Sequence, residues 1–204
     1  MSAIEDLERR PNAKFDERAF VEFLEGNDAQ SGWQEGGRWE LIEGVPIDMP
    51  PATFNHGIIA QNLERLLFNT AAVDHLTLDV HREVGLRHPT NASFRPVADV
   101  VLYDPAERLG RGHDRFYGTC RLIAEVLSPS TRHYDLVFKR RLYTEMPDCL
   151  HILFIEQEVM RVRHWARTSN WDETVYTDPE ARVDLPEFGF SCGVRDLYAR
   201  TEVS

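Results

Sequence analysis

The chain has 204 residues, 42% of them hydrophobic, enough for one sizeable core and with nothing that forces a second domain. Its 34 acidic against 23 basic residues give a formal charge of −11, which argues against a protein that coats nucleic acid by bulk charge, because phosphate neutralisation needs clustered cations. Three cysteines, Cys120, Cys149 and Cys192, are far apart, odd in number and without a C-x-x-C pair, so neither a disulfide framework nor a zinc–thiolate site is indicated.

Residues 1–14 are polar and read as a flexible tail ahead of a single domain over residues 15–204. No apolar signal region opens the chain, and no apolar run approaches the roughly 20 residues a membrane span requires. The expectation is a cytoplasmic protein with no membrane partner. Asp16 to Leu24 repeats Phe20, Phe23 and Leu24 at helical spacing, with Gly26 as its stop, and Asn27 to Gly37 reads as a loop. Strands at Trp39 to Ile42 and Val45 to Met49 flank Glu43-Gly44, a two-residue hairpin turn with glycine in its second position, and Pro50-Pro51 ends the hairpin.

From Thr53 to Asn69, Ile58, Ile59, Leu63, Leu66 and Leu67 form one helical stripe. His56 lies in the first turn of that helix and is either a capping or surface residue or a functional one facing the hairpin. A strand over Leu76 to Leu86 is followed by Val97 to Tyr103, apolar on both faces except for Asp99, the pattern of a central strand. Asp104 to Gly118 reads as a mobile loop. Leu122 to Leu127 is a second central strand, with Glu125 on the face of Ile123 and Leu127, and it stops at Ser128-Pro129. Ser130 or Thr131 caps a helix through Tyr143, which Pro147 closes. A hairpin of His151 to Glu156 and Val159 to Trp165, strands near residues 174–176 and 182–185, and a helix from Val194 to Arg200 complete the chain.

Two apolar strands thus carry one carboxylate each. If Asp99 and Glu125 lie on neighbouring strands and matching faces, their repulsion prevents both from ionising without a cation. A hard divalent metal such as Mg²⁺, which prefers one or two carboxylates with waters and phosphate oxygens, is one answer. Pairing with an arginine such as Arg82 or Arg121 is the structural alternative. Positive charge comes from 21 arginines and only two lysines, Lys14 and Lys139, so Lys139 marks a place where a compact, rotatable ammonium matters, or it is there by chance. Asp135 lies four residues before it, on the same helix face, which is also the spacing of an ordinary surface ion pair.

Glu-Leu-Ile-Glu-Gly at 40 to 44, His56 opening the next helix, Ala-Asp-Val-Val at 98 to 101, and Glu-Val-Leu-Ser-Pro-Ser-Thr-Arg at 125 to 132 followed by Asp135, Lys139 and Tyr143 resemble the Uma-two family. That family comprises small restriction-endonuclease-like proteins of the PD-(D/E)XK nuclease superfamily. The resemblance runs from about Phe15 to Tyr198. It implies an α/β, restriction-endonuclease-like core, a mixed central β-sheet flanked by helices with added β-hairpins. It further implies that Asp99, Glu125 and the backbone at Val126 hold Mg²⁺ or Mn²⁺, that Lys139 stabilises the transition state of phosphodiester hydrolysis, and that Glu43 is an outer ligand or base. His56, Asp135 and Ser128 are secondary candidates.

Two departures stand out: Leu127 occupies the position of the superfamily's usual lysine two residues after the glutamate, and no proline directly precedes Asp99. The functional expectation is a metal-dependent endonuclease acting on DNA, with Arg132, Arg140 and Arg141, and the hairpin residues Arg161, Arg163 and Arg167, as phosphate contacts. The alternative is a non-catalytic homodimeric interaction or regulatory module that keeps the nuclease fold. Hydrolysis of a small phosphoester is a third reading.

Overall fold

The computed structural model describes residues 14–30, 38–73, 78–129 and 131–203. The expected tail up to residue 13, the loop from residue 31, the first residues of the strand from Leu76 and the capping choice of Ser130 lie outside the described residues. Helix α1 spans Glu17–Gln30, running through Gly26 where the sequence reading placed its stop. A Cβ at Gly26 would meet nothing within 4 Å, so this glycine meets no close packing, and within a helix it costs only about 1 kcal/mol relative to alanine.

Strands β1 (Arg38–Ile42) and β2 (Val45–Met49) form an antiparallel hairpin with Ile42 opposite Val45. Glu43 and Gly44 both have positive φ, 50° and 82°, as the tightest two-residue turns require. A side chain on Gly44 would also sit 2.7 Å from Lys14 Cβ. Alternation divides β1 between two clusters. Trp39 and Leu41 pack with Phe15, Phe20 and Phe23 of the α1 region, while Ile42 packs on the main sheet. Helix α2 (Phe54–Val73) extends past Asn69, and its buried Ile59, Leu63 and Leu67 are fixed on the other face of that sheet. Each such side chain contributes roughly 1.5–3 kcal/mol of burial.

The main sheet has seven strands in the order β5-β3-β4-β6-β7-β8-β9: β3 (Asp79–Leu86), β4 (Val97–Tyr103), β5 (Phe116–Tyr117), β6 (Leu122–Leu127), β7 (His151–Glu156), β8 (Val162–Ala166) and β9 (Glu173–Tyr176). Only β3–β5 and β6–β7 are parallel. The expected loop Asp104 to Gly118 therefore holds an edge strand, because Gly85 lets Phe116 come alongside it; a Cβ there would lie 2.5 Å from the Arg115 carbonyl oxygen. The second hairpin turn is longer than expected, with β8 beginning at Val162. Near the C-terminus β10 (Arg182–Leu185) pairs with β11 (Phe190–Gly193), a strand absent from the sequence reading, and α4 is Val194–Leu197. They cover the α2 face of the sheet.

The opposite face is covered by α3, residues 132–144, with Leu142, Tyr143 and the following Met146 against Ile123, Leu127, Ile152 and Phe154. This is the mixed α/β architecture expected, a large mixed sheet flanked by helices with added hairpins. Among the described residues no helix is long and apolar enough to cross a membrane.

A carboxylate-lined cavity at the sheet's break

The site begins where the central ladder stops. β4 and β6 pair only from Leu102–Leu122 to Val100–Ala124. On the other side of β4, Arg82–Val100 and Val84–Ala98 pair but Glu83, with φ +55°, and Asp99 do not. Asp99 is thus released from regular pairing on both sides, and its Oδ2 accepts the Val126 N–H at 2.8 Å in place of a backbone carbonyl. The same break draws Ala98 into the cluster with Val101 and Tyr103, whereas strict alternation puts it on the other face.

Asp99 Oδ1 accepts from Arg38 Nη2 at 2.9 Å and lies 3.1 Å from His56 Nε2. Burial alone raises a carboxyl's pKa; here the contacts of His56, Arg38 and the Val126 amide outweigh it and hold Asp99 well below the carboxylate range. The arginine paired with it is Arg38, not Arg82 or Arg121. Arg121 instead lies 3.6 Å from Asp148 at the surface.

Glu125, on the neighbouring strand, has the opposite balance. Its Oε1 accepts from Tyr143 Oη at 2.5 Å and from Lys139 Nζ at 3.3 Å. Burial pushes it up to about 8, against the pull of Lys139 and with Asp99, Asp135 and Glu40 adding repulsion. Lys139 is 3% exposed, within the range of the core side chains, so the surface ion-pair reading of Asp135 and Lys139 does not hold. Its Nζ lies 2.9 Å from Glu40, 3.3 Å from Glu125 and 3.4 Å from Asp135. Burial opposes its charge, but the three carboxyls prevail and raise it well above an ordinary lysine.

Helix α3 achieves this convergence with a wide turn. Its segment Asp135–Lys139 is π-helical, with the Arg140 N–H bonded to the Asp135 carbonyl. In a regular α-helix, positions four apart drift by about 40° around the axis, so 135, 139 and 143 would diverge. The wider turn offsets that drift and keeps Asp135, Lys139 and Tyr143 buried on one side.

Asp99, Glu125, Glu40, Asp135 and Lys139 line a cavity of about 240 Å³ with Arg38, His56, Ser128 and Gln157, and Tyr143 lies behind Glu125. Gln157 accepts from Thr53 Oγ1 at 2.8 Å, which ties the start of α2 to the end of β7. The Ser128 and Thr131 hydroxyls are 2.9 Å apart at the mouth of α3.

Sequence reasoning brought together Asp99, Glu125, Val126, Lys139, Asp135, His56 and Ser128, all in the cavity wall. Glu43 is the exception: it is exposed in the hairpin turn and absent from that wall, while the buried acid is Glu40, which also accepts the Val97 N–H at 3.0 Å. The missed residues, Arg38 and Glu40, share with Ile42 the face of β1 that meets the sheet, and alternation groups the three without telling which face that is. Arg132, Arg140 and Arg141 lie outside the wall. Arg132 grips Glu156, Arg140 sits 5.9 Å from the Trp165 ring centre and Arg141 is exposed. Of the hairpin arginines, Arg163 pairs with Glu173 and Arg167 holds the carbonyls of Cys149 and Met146.

The donor set bears on a cation. Four buried carboxyls, Asp99, Glu125, Glu40 and Asp135, face two permanent cations, Arg38 and Lys139, with His56 a third only when protonated. The surplus appears as the proton that Glu125 keeps, and Asp135 Oδ1 is buried without a hydrogen-bond partner. Among the described residues no three His, Cys, Asp or Glu side chains are grouped to hold a metal by themselves. The residues present therefore fit a hard cation held by one or two carboxylates and a backbone carbonyl, its shell completed from outside the protein.

The family model "Uma2: Putative restriction endonuclease" matches residues 25–195. An uncharacterized protein, slr1290, of Synechocystis sp. strain PCC 6803 is 26% identical over 192 residues, 92% of this chain and 95% of that protein. A crystal structure from Anabaena variabilis ATCC 29413, described as a putative nuclease belonging to DUF820, superposes with a TM-score of 0.65 over 79% of this chain and 89% of its own, at 15% identity, a likeness of fold. With the family model spanning most of its length, the chain belongs to the Uma2 family.

Proposed function

We propose that this protein is a metal-dependent nuclease that hydrolyses phosphodiester bonds in DNA. One observation carries the reading: Asp99, Glu125 and Lys139 meet in one cavity whose buried carboxyls exceed its permanent cations. Asp99, Glu125 and the Val126 carbonyl would hold Mg²⁺ or Mn²⁺. Such an ion supplies a more acidic water and neutralises charge on the phosphate.

The chain's own residues do the rest. Lys139, held charged by three carboxyls, offers its ammonium to the negative charge that builds on the phosphate in the transition state. Glu40, 2.9 Å from Nζ, fixes that ammonium in place. Tyr143 anchors Glu125 from beneath. Ser128 and Gln157 furnish polar contacts at the cavity wall.

The test is incubation of purified protein with plasmid and oligonucleotide DNA in Mg²⁺ and Mn²⁺. Wild type should cleave. Asp99→Ala and Glu125→Ala should lose both cleavage and Mn²⁺ binding, measured calorimetrically, and Lys139→Ala should lose cleavage while still binding Mn²⁺. Equal Mn²⁺ binding by all variants removes the metal reading. The absence of cleavage by wild type on any of these substrates would favour the non-catalytic module instead.

A further inference from the structure

Two arginines of this protein show the side-on edge, Nε together with Nη2, closed on a carboxylate. Arg87 places Nε on Glu17 Oε2 and Nη2 on Oε1, at 3.0 and 2.7 Å. Arg132 does the same on Glu156, at 3.0 and 2.9 Å. This is the two-toothed grip that a planar guanidinium makes on a carboxylate or phosphate.

Arg38, in the cavity wall, uses half of that edge. Its Nη2 donates to Asp99 Oδ1 and to the Val97 carbonyl, both at 2.9 Å, and its Nε is buried without a hydrogen-bond partner. Asp99 cannot complete the grip, because its second oxygen is taken by the Val126 N–H. A buried donor left unpaired is unfavourable, because it has given up water without gaining a partner. The oxygen that Arg38 occupies is one that Asp99 would otherwise have to offer a cation, and His56 shares it.

We infer that Arg38 is an exchangeable counterion: it holds Asp99 while the site is unloaded, and passes its Nε–Nη2 edge to the two non-bridging oxygens of the substrate phosphodiester when a divalent cation takes Asp99. This rests on the nuclease reading above and adds to it a coupling between cation and substrate. Without a phosphodiester the guanidinium competes with the cation for Asp99. With one, it gains the full grip that the protein alone denies it, and the competition ends. Arg38 is then a positioning residue for substrate and a brake on metal loading.

Calorimetric titration of Mn²⁺, with and without excess dimethyl phosphate as a minimal uncleaved phosphodiester, tests this. Arg38→Ala should bind Mn²⁺ more tightly than wild type when no diester is present, by on the order of tenfold, a usual size for coupling between sites. Dimethyl phosphate should tighten Mn²⁺ binding to wild type and lose most of that effect in Arg38→Ala. Arg38→Lys keeps a cation beside Asp99 and lacks the fork, so it should match wild type without diester and fall short with it, which also controls for folding. Weaker or unchanged Mn²⁺ binding by Arg38→Ala, or an equal diester effect in both proteins, overturns the inference while leaving the nuclease reading intact. Failure of wild type to bind Mn²⁺ overturns both.

Discussion

Two clusters of polar side chains, each with buried members, lie on opposite faces of the same sheet, and they differ in charge balance. Facing the C-terminal hairpin, Glu187 Oε2 lies 2.7 Å from His151 Nε2, and His151 Nδ1 lies 2.9 Å from His164 Nε2, with Phe188 edge-on to His151 and Tyr176 stacked on His164. It is a chain of neutral or singly matched groups, none of which lines the cavity. On the other face, Glu40, Asp99, Glu125 and Asp135 outnumber their cations, leave an oxygen and a guanidinium nitrogen without a hydrogen bond, and open onto a cavity. Burial of polar groups is common to both. Imbalance with access is what separates a candidate site from a structural network.

The comparison breaks most severely at Lys139. Lys139→Met leaves Glu40, Glu125 and Asp135 without their shared ammonium, and breaking a buried charge network in this way costs about 3–5 kcal/mol. Urea unfolding near pH 7.5 should show that loss. A change under about 1 kcal/mol would mean that the cluster does not depend on its lysine.

The two clusters also carry opposite pH slopes. Burial, with His151 beside it, pushes His164 down to about 4 from its ordinary 6.5. The unfolded chain therefore binds the extra proton first, and stability is lost as pH falls from 6.5 toward 4, by about 3 kcal/mol at most. Glu125 is pushed up from 4.5 to about 8, so its contribution is present at low pH and lost as pH rises through that window. Without metal, wild type should be nearly level from pH 4.5 to 6.5, where the slopes oppose, and should decline above 6.5. His164→Gln should instead decline across the whole range. Glu125→Gln should remove the decline above 6.5, worth about 2 kcal/mol by pH 8. Thermal melts at four or five pH values decide it. Parallel curves for all three proteins would show that neither group titrates as described.

What could be read in advance follows from which residues were conspicuous. Val97–Tyr103 and Leu122–Leu127 were found to the residue because both faces are apolar, and one acid in each stood out against that background. Lys139 stood out because lysine is rare here. Arg38 had no such contrast among 21 arginines, and Glu40 sits in a two-stranded hairpin whose alternation does not reveal which face meets the sheet. The π-helical turn at Asp135–Lys139 has no sequence period of its own. Strand β5, two residues long, is too short for alternation to register, and the break at Glu83 and Asp99 depends on a backbone conformation that no residue type announces.

The smallest of these effects is at Thr53, where the two faces of the sheet are joined. Its Oγ1 accepts the His56 N–H at 3.2 Å, capping α2, and donates to Gln157 at the end of β7. Thr53→Ala removes both contacts at the cavity rim, and loss of a cap of this kind costs about 1 kcal/mol. The urea midpoint should fall accordingly with an unchanged slope. If the bond to Gln157 also sets the cavity's shape, a Thr53→Ser variant, which keeps the hydroxyl, restores Mn²⁺ affinity along with stability. Restored stability with Mn²⁺ affinity still reduced would instead assign the cavity effect to the lost methyl group, and the hydroxyl would be a cap alone.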